Sequence, residues 1–296
     1  MNFNVLEVVE AAQANDKVEY GVKMIGAQSE WKETKGKGIK VAVIDTGIDF
    51  NHPDLKERVK GGRNFTTPNP NDYMDRNGHG THCAGVIAAS MNKLGIIGVA
   101  PEVELYALKV LGDDGSGSLD WIIQAIEWCI NNDIHIMSMS LGAQSSVGVF
   151  HDAIKLAAKK GIIMVCAAGN DGEGTEADTV DYPGRYPETI AVSAVDINDN
   201  LGTFSSKGPD VEVAAAGVDV FSTYPNGRYA KLSGTSMATP HIAGAVALLQ
   251  AKAQIRYNRF LNLNEIRLLL HMYSEDIGQF GKDNRFGYGV FSFDRI

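Results

Sequence analysis

Short runs of almost uninterrupted apolar residues alternate along this chain with longer stretches of helical pattern, and this alternation limits the fold more than any other feature. Because the runs show little polar alternation, their side chains are expected to be buried on both faces of a sheet, as in parallel sheets covered by helices. The predicted strands are Lys40–Asp45, Glu104–Val110, Ile134–Ser140, Gly161–Ala167 and Ile190–Val195. Helices are predicted near Gly80–Ser90, Leu119–Asn131, Val147–Lys160, Ser236–Ala253 and Leu263–His271. The predicted fold class is therefore three-layer α/β, with a mostly parallel β-sheet flanked by helices.

The length and composition of the chain fit one large domain. The 296 residues are 44% hydrophobic, which is enough to bury a sizeable core. No linker, charge run or repeat divides them, so we predict a short N-terminal extension over residues 1–18 and a single domain over residues 19–296. The net charge is −9 and the basic residues are scattered, which argues against nucleic-acid binding. No apolar run approaches the ~20 residues of a membrane span, so no membrane partner is expected.

The cysteines and the N-terminal residues indicate in which cellular compartment the protein is expected. Cys83, Cys129 and Cys166 lie in apolar segments without metal-ligand spacing, which is typical of buried free thiols in a reducing compartment. The first residues, MNFNVLEVVEAAQ, have neither a basic start nor a long apolar centre, so they lack the features of a secretory signal peptide. A cytoplasmic location is expected. The alternative is a secreted protein whose signal and prodomain are not part of this chain.

Four short motifs place chemically active side chains where strands end or helices begin. VAVIDTGID ends a strand at Asp45, NGHGTHCAG begins a helix at His79, AAGND puts Asn170 after a buried strand, and GTSMATPH puts Ser236 at the start of a long apolar helix. Taken singly, each residue has an ordinary structural explanation, such as a turn or a helix cap. Because the carboxyl ends of parallel strands share one edge of a sheet, the fold can bring all of them together.

The four side chains together match the parts needed for acyl transfer. A serine hydroxyl is a weak nucleophile at neutral pH and needs an adjacent base. A histidine can take up and return a proton in this range, and a buried carboxylate holds its ring in the required tautomer. An asparagine amide can donate a hydrogen bond to the oxyanion that develops on the substrate. The combination predicts a hydrolase with a serine nucleophile.

These motifs and their order resemble the subtilisin-like serine proteases, over roughly Tyr20 to the C-terminal region. The resemblance implies a serine endopeptidase that cleaves protein or peptide substrates through an acyl-enzyme intermediate. It assigns Ser236 as the nucleophile, His79 as the base and Asp45 as the orienting acid. It also assigns Asn170 as the oxyanion donor, and His82 as a structural residue one helical turn after His79.

Two other classes of protein were weighed against this interpretation. A non-catalytic binding or folding factor on the same scaffold is expected to have lost part of the triad, whereas this chain retains all of it. An esterase of the α/β-hydrolase type needs a Gly-x-Ser-x-Gly elbow and the order Ser, Asp, His. Ser236 lies in GTSMA and follows the acid and the histidine, so this class is set aside.

The resemblance also implies that an extended peptide binds between two backbone edges. One edge is Leu111–Gly117, in which Gly115 and Gly117 allow close backbone approach. The other edge runs from Ser140 to Gly142 and also forms a wall of the primary specificity pocket. Backbone hydrogen bonds accept any extended peptide, so selectivity falls to the pockets. Plain glycine turns are the alternative. At the base of this pocket relatives often have a small residue, whereas this chain has Asp181. The hypothesis is that Asp181 favours substrates with a basic side chain in the pocket. The alternative is that Asp181 points to solvent.

Members of this family usually carry structural calcium, so Ca²⁺ is the expected cofactor. The matching positions for a tight site join an N-terminal side chain, an acid after the first motif and a loop after the histidine helix. A second, weaker site is expected at two later acids with backbone oxygens near Gly184. Calcium binds six to eight hard oxygens, and such sets of residues can supply them. The alternative is that these residues are only surface acids and a turn, which have the same pattern in sequence. The expected ligands are Asp16, Asp54, Ser90, Asn92, Leu94 and Ile96 for the first site, and Asp210 and Glu212 for the second.

The short N-terminus resembles that of the intracellular subtilisins. Those relatives are often dimeric, which leaves a homodimer open for this chain. They also carry an inhibitory Leu-Ile-Pro-Tyr/Phe motif, which is absent here. The hypothesis is that Asn2–Ala14 regulates activity by folding across the active-site edge or by being trimmed, and a plain tail is the alternative. Deletion of this segment without any change in activity or stability would contradict the hypothesis.

Overall fold

The computed structural model describes residues 4–9 and 15–295. Strands and helices mostly alternate along this part of the chain. The strands are β1 Asn4–Val9, β2 Lys17–Val18, β3 Lys40–Asp45, β4 Val59–Asn64, β5 Ile96–Ile97, β6 Glu104–Lys109, β7 Ile136–Met139, β8 Ile163–Ala167, β9 Ile190–Val195, β10 Val211–Ala216, β11 Val220–Tyr224, β12 Arg228–Ser233, β13 Ser274–Glu275 and β14 Val290–Phe291. The helices are α1 Tyr20–Met24, α2 Ala27–Glu30, α3 His79–Ala88, α4 Leu119–Asn131, α5 Gly148–Lys159, α6 Thr235–Tyr257 and α7 Leu263–Met272, and a 3₁₀ turn covers Phe293–Arg295.

A nine-stranded sheet forms the middle layer, in the order β13-β14-β10-β9-β8-β7-β3-β6-β4. Its strand pairs are parallel, with β13–β14 as the antiparallel exception among the described residues. The chain runs from β3 to β4 and β6 on one side and then crosses to β7 on the other side of β3. The switch point therefore lies between β3 and β7, and ligands of such sheets bind beyond the carboxyl ends of the strands at this point.

The central strand β3 shows why the sheet has a helical layer on each face. Val41 and Val43 pack into the core that includes α3 and α6, whereas Ala42 and Ile44 pack into the core that includes α4 and α5. Alternate residues of a strand point to opposite faces, so an unbroken apolar run requires both faces to be covered. Burial of each larger side chain stabilises the fold by about 1.5–3 kcal/mol. The predicted three-layer α/β architecture is confirmed.

Helix α6 runs through one of these cores and is buried along most of its length. It is rich in alanine and contains Gly244, because neighbouring elements approach it closely. A Cβ atom at Gly244 would lie 2.6 Å from Val99 Cβ, which is too close for an unadjusted contact. A helix that is apolar on all sides is expected only where it is surrounded by protein. The packing fixes the N-terminal end of α6, where Ser236 lies.

Some elements differ from the sequence-based expectation. Helix α6 continues to Tyr257, and the strands β4, β10, β11 and β12 were not predicted. Strand β4 reads VKGGRN and is partly exposed at the edge of the sheet, so it lacks the apolar run used as the signal. None of the helices in the described ranges combines the length and apolarity that a membrane crossing needs.

The predicted extension, residues 1–18, falls partly on residues 1–3 and 10–14, which lie outside the described residues. Its described part includes β1, which pairs antiparallel with β12 at the edge of the β11–β12 hairpin. Asn4 pairs with Ser233, three residues before Ser236. A regulatory role for this segment and the single domain over residues 19–296 remain predictions.

Candidate active site

Asp45 and His79 form a buried pair at the carboxyl end of β3. Asp45 is the last residue of β3 and His79 the first residue of α3, and both side chains are almost fully buried. The Nδ1 atom of His79 lies 2.8 Å from Oδ1 and 2.9 Å from Oδ2 of Asp45. Asp45 Oδ1 also accepts a hydrogen bond of 2.7 Å from the Thr46 backbone N–H. This carboxylate favours the tautomer with its proton on Nδ1, in which Nε2 is the basic atom.

Asp75 fixes the start of α3 relative to β3. Its buried carboxylate accepts hydrogen bonds from the Thr46 hydroxyl and from the backbone N–H groups of Gly78 and Thr81, each at 2.9 Å. Burial raises the pKa of Asp75, while these hydrogen bonds act in the opposite direction. The sequence analysis did not single out this residue. An acid shortly before a predicted helix start was the available signal, because such residues often satisfy the free N–H groups there.

Ser236 is the second residue of α6, and its position is fixed through its own backbone. Pro240 has no N–H group, so the carbonyl of Ser236, four residues earlier, lacks its helical donor. This carbonyl instead accepts hydrogen bonds from Ser140 Oγ at 2.8 Å and from Cys83 Sγ at 3.4 Å. Cys83 Sγ lies within 4.8 Å of ligand atoms of both Asp45 and His79. These contacts hold Ser236 beside the Asp45–His79 pair.

The Ser236 hydroxyl donates to the Ser140 carbonyl at 3.3 Å, and the Ser236 side of the site opens into a cavity. Asn170 lines the same cavity. Its Oδ1 accepts hydrogen bonds from the backbone N–H and the hydroxyl of Thr235, at 3.0 and 3.1 Å. The amide is thereby oriented with Nδ2 as its donor. The Ser236 N–H is among the first four of a helix, which have no acceptor inside the helix.

His82 serves as a structural residue one turn along α3. It is fully buried, and its Nε2 lies 2.9 Å from the Val220 carbonyl and 3.2 Å from the Ala230 carbonyl. Burial lowers its pKa to about 3, so the ring is neutral at physiological pH. The contacts join α3 to the β11–β12 hairpin, which leads into Ser236.

The first predicted substrate edge, Leu111–Gly117, follows β6, the strand next to β3 in the sheet. Leu111 and Gly117 form an isolated antiparallel bridge, and Gly115 has φ +79°, a conformation that favours glycine. The sequence analysis missed Lys109, which is buried at the end of β6. Its Nζ donates to the Thr46 carbonyl at 2.6 Å and to Asp113 Oδ1 at 2.9 Å, and it thereby ties the turn after Asp45 to this edge.

The second edge includes Ser140 and Gly142 and is next to Asp181. A Cβ atom at Gly142 would lie 2.6 Å from Asp181 Oδ2. Ala143 and Tyr182 form an antiparallel bridge with both hydrogen bonds at 2.8 Å. Asp181 therefore lines the cavity next to Ser236. Its role in recognising a substrate side chain stays a prediction.

The predicted ligands of the first cation site are brought together around Asp54. This carboxylate is fully buried, and burial raises its pKa. The Asn92 side chain donates to Asp54 Oδ1 at 3.0 Å, the Ile96 N–H donates to Oδ2 at 3.1 Å, and the Asn92 N–H donates to Asp16 Oδ1 at 3.2 Å. Ser90 Oγ is buried here, and no hydrogen-bond partner for it is found among the described residues.

The predicted ligands of the second cation site contact cationic side chains of the protein. Glu212 has its Oε1 2.5 Å from His271 Nε2 and its Oε2 3.5 Å from Arg267 Nε. Arg267 also donates to the Thr189 carbonyl at 2.7 Å. Asp210 lies 3.9 Å from Arg185 Nε. Because Arg267 already places a positive charge next to Glu212, the arrangement does not favour a metal ion at this second site.

Comparison with known proteins gives a family match and several relatives. The profile of the subtilase family (Peptidase_S8) matches residues 36–289. The chain is 47% identical over 264 residues to an intracellular serine protease of Paenibacillus polymyxa, covering 88% of this chain and 81% of that protein. It is 46% identical over 252 residues to the major intracellular serine protease of Bacillus subtilis (strain 168), covering 83% and 79%. Subtilisin E of the same strain is 46% identical over 236 residues, covering 79% and 61%.

Proposed function

The chain belongs to the subtilase family and is a subtilisin-like serine endopeptidase, and on this premise we propose that Ser236 is its nucleophile, His79 its general base and Asp45 the residue that orients His79. The observation that carries this assignment is the contact of His79 Nδ1 with both oxygens of the buried Asp45 carboxylate. The Asp, His, Ser order of the family agrees with it. Protein or peptide substrates follow from the enzyme class.

The proposed reaction proceeds in two halves. His79 Nε2 takes the proton of the Ser236 hydroxyl while Ser236 Oγ attacks the scissile carbonyl carbon, and the amine then leaves with the proton that His79 returns. Water, activated by His79, then attacks the acyl-enzyme ester, and the Ser236 oxygen regains a proton as the acid product leaves. Asp45 stays ionised throughout and stabilises the imidazolium that forms in each half.

Asn170 is proposed as the side-chain oxyanion donor, together with the Ser236 backbone N–H. Thr235 occupies Asn170 Oδ1, which supports Nδ2 as the group directed at the substrate. The N-terminal end of α6 adds a favourable electrostatic contribution to a negative charge at this point. Such donors matter because they are already oriented before charge develops on the substrate.

Two backbone edges are proposed to hold the substrate as an extended strand. The Ser140 carbonyl lies 3.3 Å from Ser236 Oγ, so it is an acceptor next to the nucleophile that a peptide N–H can use. The opposite edge is Leu111–Gly117, which is supported by Lys109. A peptide bound in this way adds a strand and is read mainly through its backbone.

The proposed nucleophile is tested by covalent labelling with a serine-directed fluorophosphonate. The wild-type protein is expected to gain one label per chain on the peptide that contains Ser236, and Ser236→Ala is expected to gain none. Ser29→Ala is the matched control, because it removes an exposed hydroxyl on α2 and leaves the nucleophile and its contacts unchanged. Absence of labelling in the folded wild type, or labelling of Ser236→Ala, would contradict the assignment.

A structural calcium ion at the first cation site is a further part of the proposal. The residues fit, because Asp54 and Asp16 supply carboxylates close to a loop whose backbone and Asn92 amide supply further oxygens. The buried charge of Asp54 is costly without a positive partner, which the raised pKa of this carboxyl reflects. A bound calcium ion would supply that charge and join the N-terminal segment to the loop after α3. The ion has no part in the chemical steps.

Chelation is expected to lower the melting temperature of the wild-type protein, because a ligand that binds only the folded state stabilises it. At calcium concentrations about 100-fold above Kd, this contribution is about 2.7 kcal/mol. In Asp54→Asn the melting temperature is expected to fall and to respond little to chelator. Glu212→Gln is the control: it is expected to lose stability but to keep the full response to chelator. An unchanged wild-type melting temperature in chelator would remove calcium from the proposal.

A cytoplasmic location is proposed from the relatives that are named intracellular proteases. Three buried cysteines without disulfide bonds agree with a reducing compartment. Fractionation of cells tests this, and detection of the protein in the culture medium alone would contradict it.

A further inference from the structure

A cavity of about 460 Å³ opens beside Ser236, and its lining includes three acidic residues and no lysine or arginine among the described residues. Gly142, Gly169 and Asn170 contribute to its walls, and three carboxylates, Asp171, Glu173 and Asp181, line it as well. Because it lies next to Ser236 and is walled by Gly142 of the proposed Ser140–Gly142 edge, it is the cavity expected to receive the side chain on the acyl side of the scissile bond. The charge of the cavity therefore bears on which peptides the enzyme accepts.

Two glycines leave the space that the Asp181 carboxylate occupies. A Cβ atom at Gly142 would lie 2.6 Å from Asp181 Oδ2, and one at Gly169 would lie 2.8 Å from the same oxygen. The carboxylate thus occupies space that side chains at these positions would fill. The Asp181 N–H donates to the Ala168 carbonyl at 2.8 Å, and the bridge between Ala143 and Tyr182 follows directly. The backbone that carries Asp181 is therefore fixed on both sides.

No hydrogen bond or ion pair for the Asp181 carboxylate is found in the described part of the chain. Arg185 is the cation that acts on it electrostatically, but its guanidinium pairs with Asp178 and lies 3.9 Å from Asp210. Asp171 adds a second negative charge, and its carboxylate has the Gln144 amide at 3.3 Å. A half-buried carboxylate without a direct partner is destabilised relative to one that is paired. A cationic group entering the cavity would relieve this cost.

We infer that this cavity selects peptides with lysine or arginine on the acyl side of the scissile bond, and that Asp181 is the residue that recognises the positive charge. The inference rests on the proposed function, since it assumes that Ser236 attacks the bond next to this cavity. Long basic side chains suit the site because their stems are apolar and their charge lies at the end. Leu141, Ala167 and Phe204 supply the apolar part of the lining.

The pH dependence of selectivity follows from the same geometry. Burial and the neighbouring Asp171 raise the pKa of Asp181 to about 6, and Arg185 opposes this. Asp181 is therefore mostly neutral at pH 5 and mostly ionised at pH 7. The ratio of kcat/KM for a lysine substrate to that for a matched phenylalanine substrate is expected to rise between these pH values. The ratio removes the effect of pH on the shared catalytic steps, which act on both substrates alike.

The experiment compares matched peptides that differ only in Lys, Arg, Phe or Leu at this position. In Asp181→Asn the Lys/Phe ratio of kcat/KM is expected to fall by roughly 10–150-fold at pH 7.5, the range for loss of a hydrogen bond to a charged group. The ratio is also expected to become independent of pH between 5 and 7. Asp152→Asn is the control, because it removes the same charge from an exposed position on α5. It is expected to keep the ratio and its pH dependence.

Fluorophosphonate titration of Ser236 counts the active sites of every variant before the ratios are compared. Failure of the wild type to label would reject the proposed function. Normal labelling with the same Lys/Phe ratio in wild type and Asp181→Asn would reject only the inference about the cavity. Normal labelling with a lost preference for Lys and Arg in Asp181→Asn would support both. Asp181→Gly gives a second variant in which the cavity is enlarged as well as neutralised.

Discussion

Ser236→Ala and His79→Ala are each expected to lower kcat by about 10⁶-fold, and the double variant to lose no more than either one alone. The magnitude is known from subtilisin and is adopted here as the expectation. The non-additivity follows from the proposed roles, because His79 activates no group once the Ser236 hydroxyl is gone. The remaining rate enhancement is expected to come from Asn170, the Ser236 N–H and substrate binding.

Kinetics of the two single variants and the double variant, with purified protein free of contaminating protease, test this expectation. Thermal unfolding of each variant serves as the control for folding, since both side chains are almost fully buried in the wild type. If the two losses multiplied, the residues would be acting independently, and the proposed pairing of base and nucleophile would be wrong. A double variant equal to the single variants is the signature of a joint function.

The sheet was predictable from sequence where a strand is covered on both faces. Lys40–Asp45 was predicted with its observed bounds because every residue after Lys40 is buried, and Ile190–Val195 likewise. Strand β10, VEVAAA, was not predicted, because three of its residues are alanine and the run is interrupted by Glu212. The physical reason for β10 is its pairing with the preceding strand β9 and with β14, which lies near the C-terminus.

For the candidate site, too, part could be predicted from the sequence and part could not. The order of the motifs and their places at strand ends predicted Asp45, His79, Asn170 and Ser236 as site residues, because a doubly wound sheet gathers such ends at one edge. The contacts that hold them could not be predicted. Ser140 and Cys83 satisfy the Ser236 carbonyl only because Pro240 leaves it without a donor and because three separate elements meet there. Such contacts depend on the distances between packed elements, which local patterns do not contain.

The second predicted cation site shows a limit of predicting metal ligands from the sequence alone. Asp210 and Glu212 have the residue types expected of calcium ligands, and nothing nearby in sequence argues against them. Arg267 and His271 come from α7, more than 50 positions along the chain; Arg267 supplies positive charge to Glu212, and His271 lies within hydrogen-bond distance of it. A ligand set predicted from acids alone therefore overlooks cations that the fold brings to the same place.

Asp45→Asn is expected to lower kcat by about 10⁴-fold, a loss seen for the same exchange in an unrelated serine protease. That loss corresponds to about 5 kcal/mol of transition-state stabilisation. The reason in this structure is the contact of His79 Nδ1 with both Asp45 oxygens. An amide at this position can present its N–H₂ group to Nδ1, which then acts as acceptor and places the ring proton on Nε2. The base is thereby lost while the shape of the site is kept.

The measurement separates this tautomer effect from a general loss of structure. Because Asp45 is buried and lies behind His79, Asp45→Asn is expected to leave KM nearly unchanged and to slow fluorophosphonate labelling of Ser236 together with kcat. Asp75→Asn is the matched comparison, since Asp75 is an equally buried acid that contacts Thr46 and Thr81 but is not assigned to orient the imidazole. It is expected to lower the melting temperature with a much smaller loss of kcat. Equal losses of kcat in the two variants would mean that Asp45 acts only through the packing of this turn, and the role proposed for it would have to be abandoned.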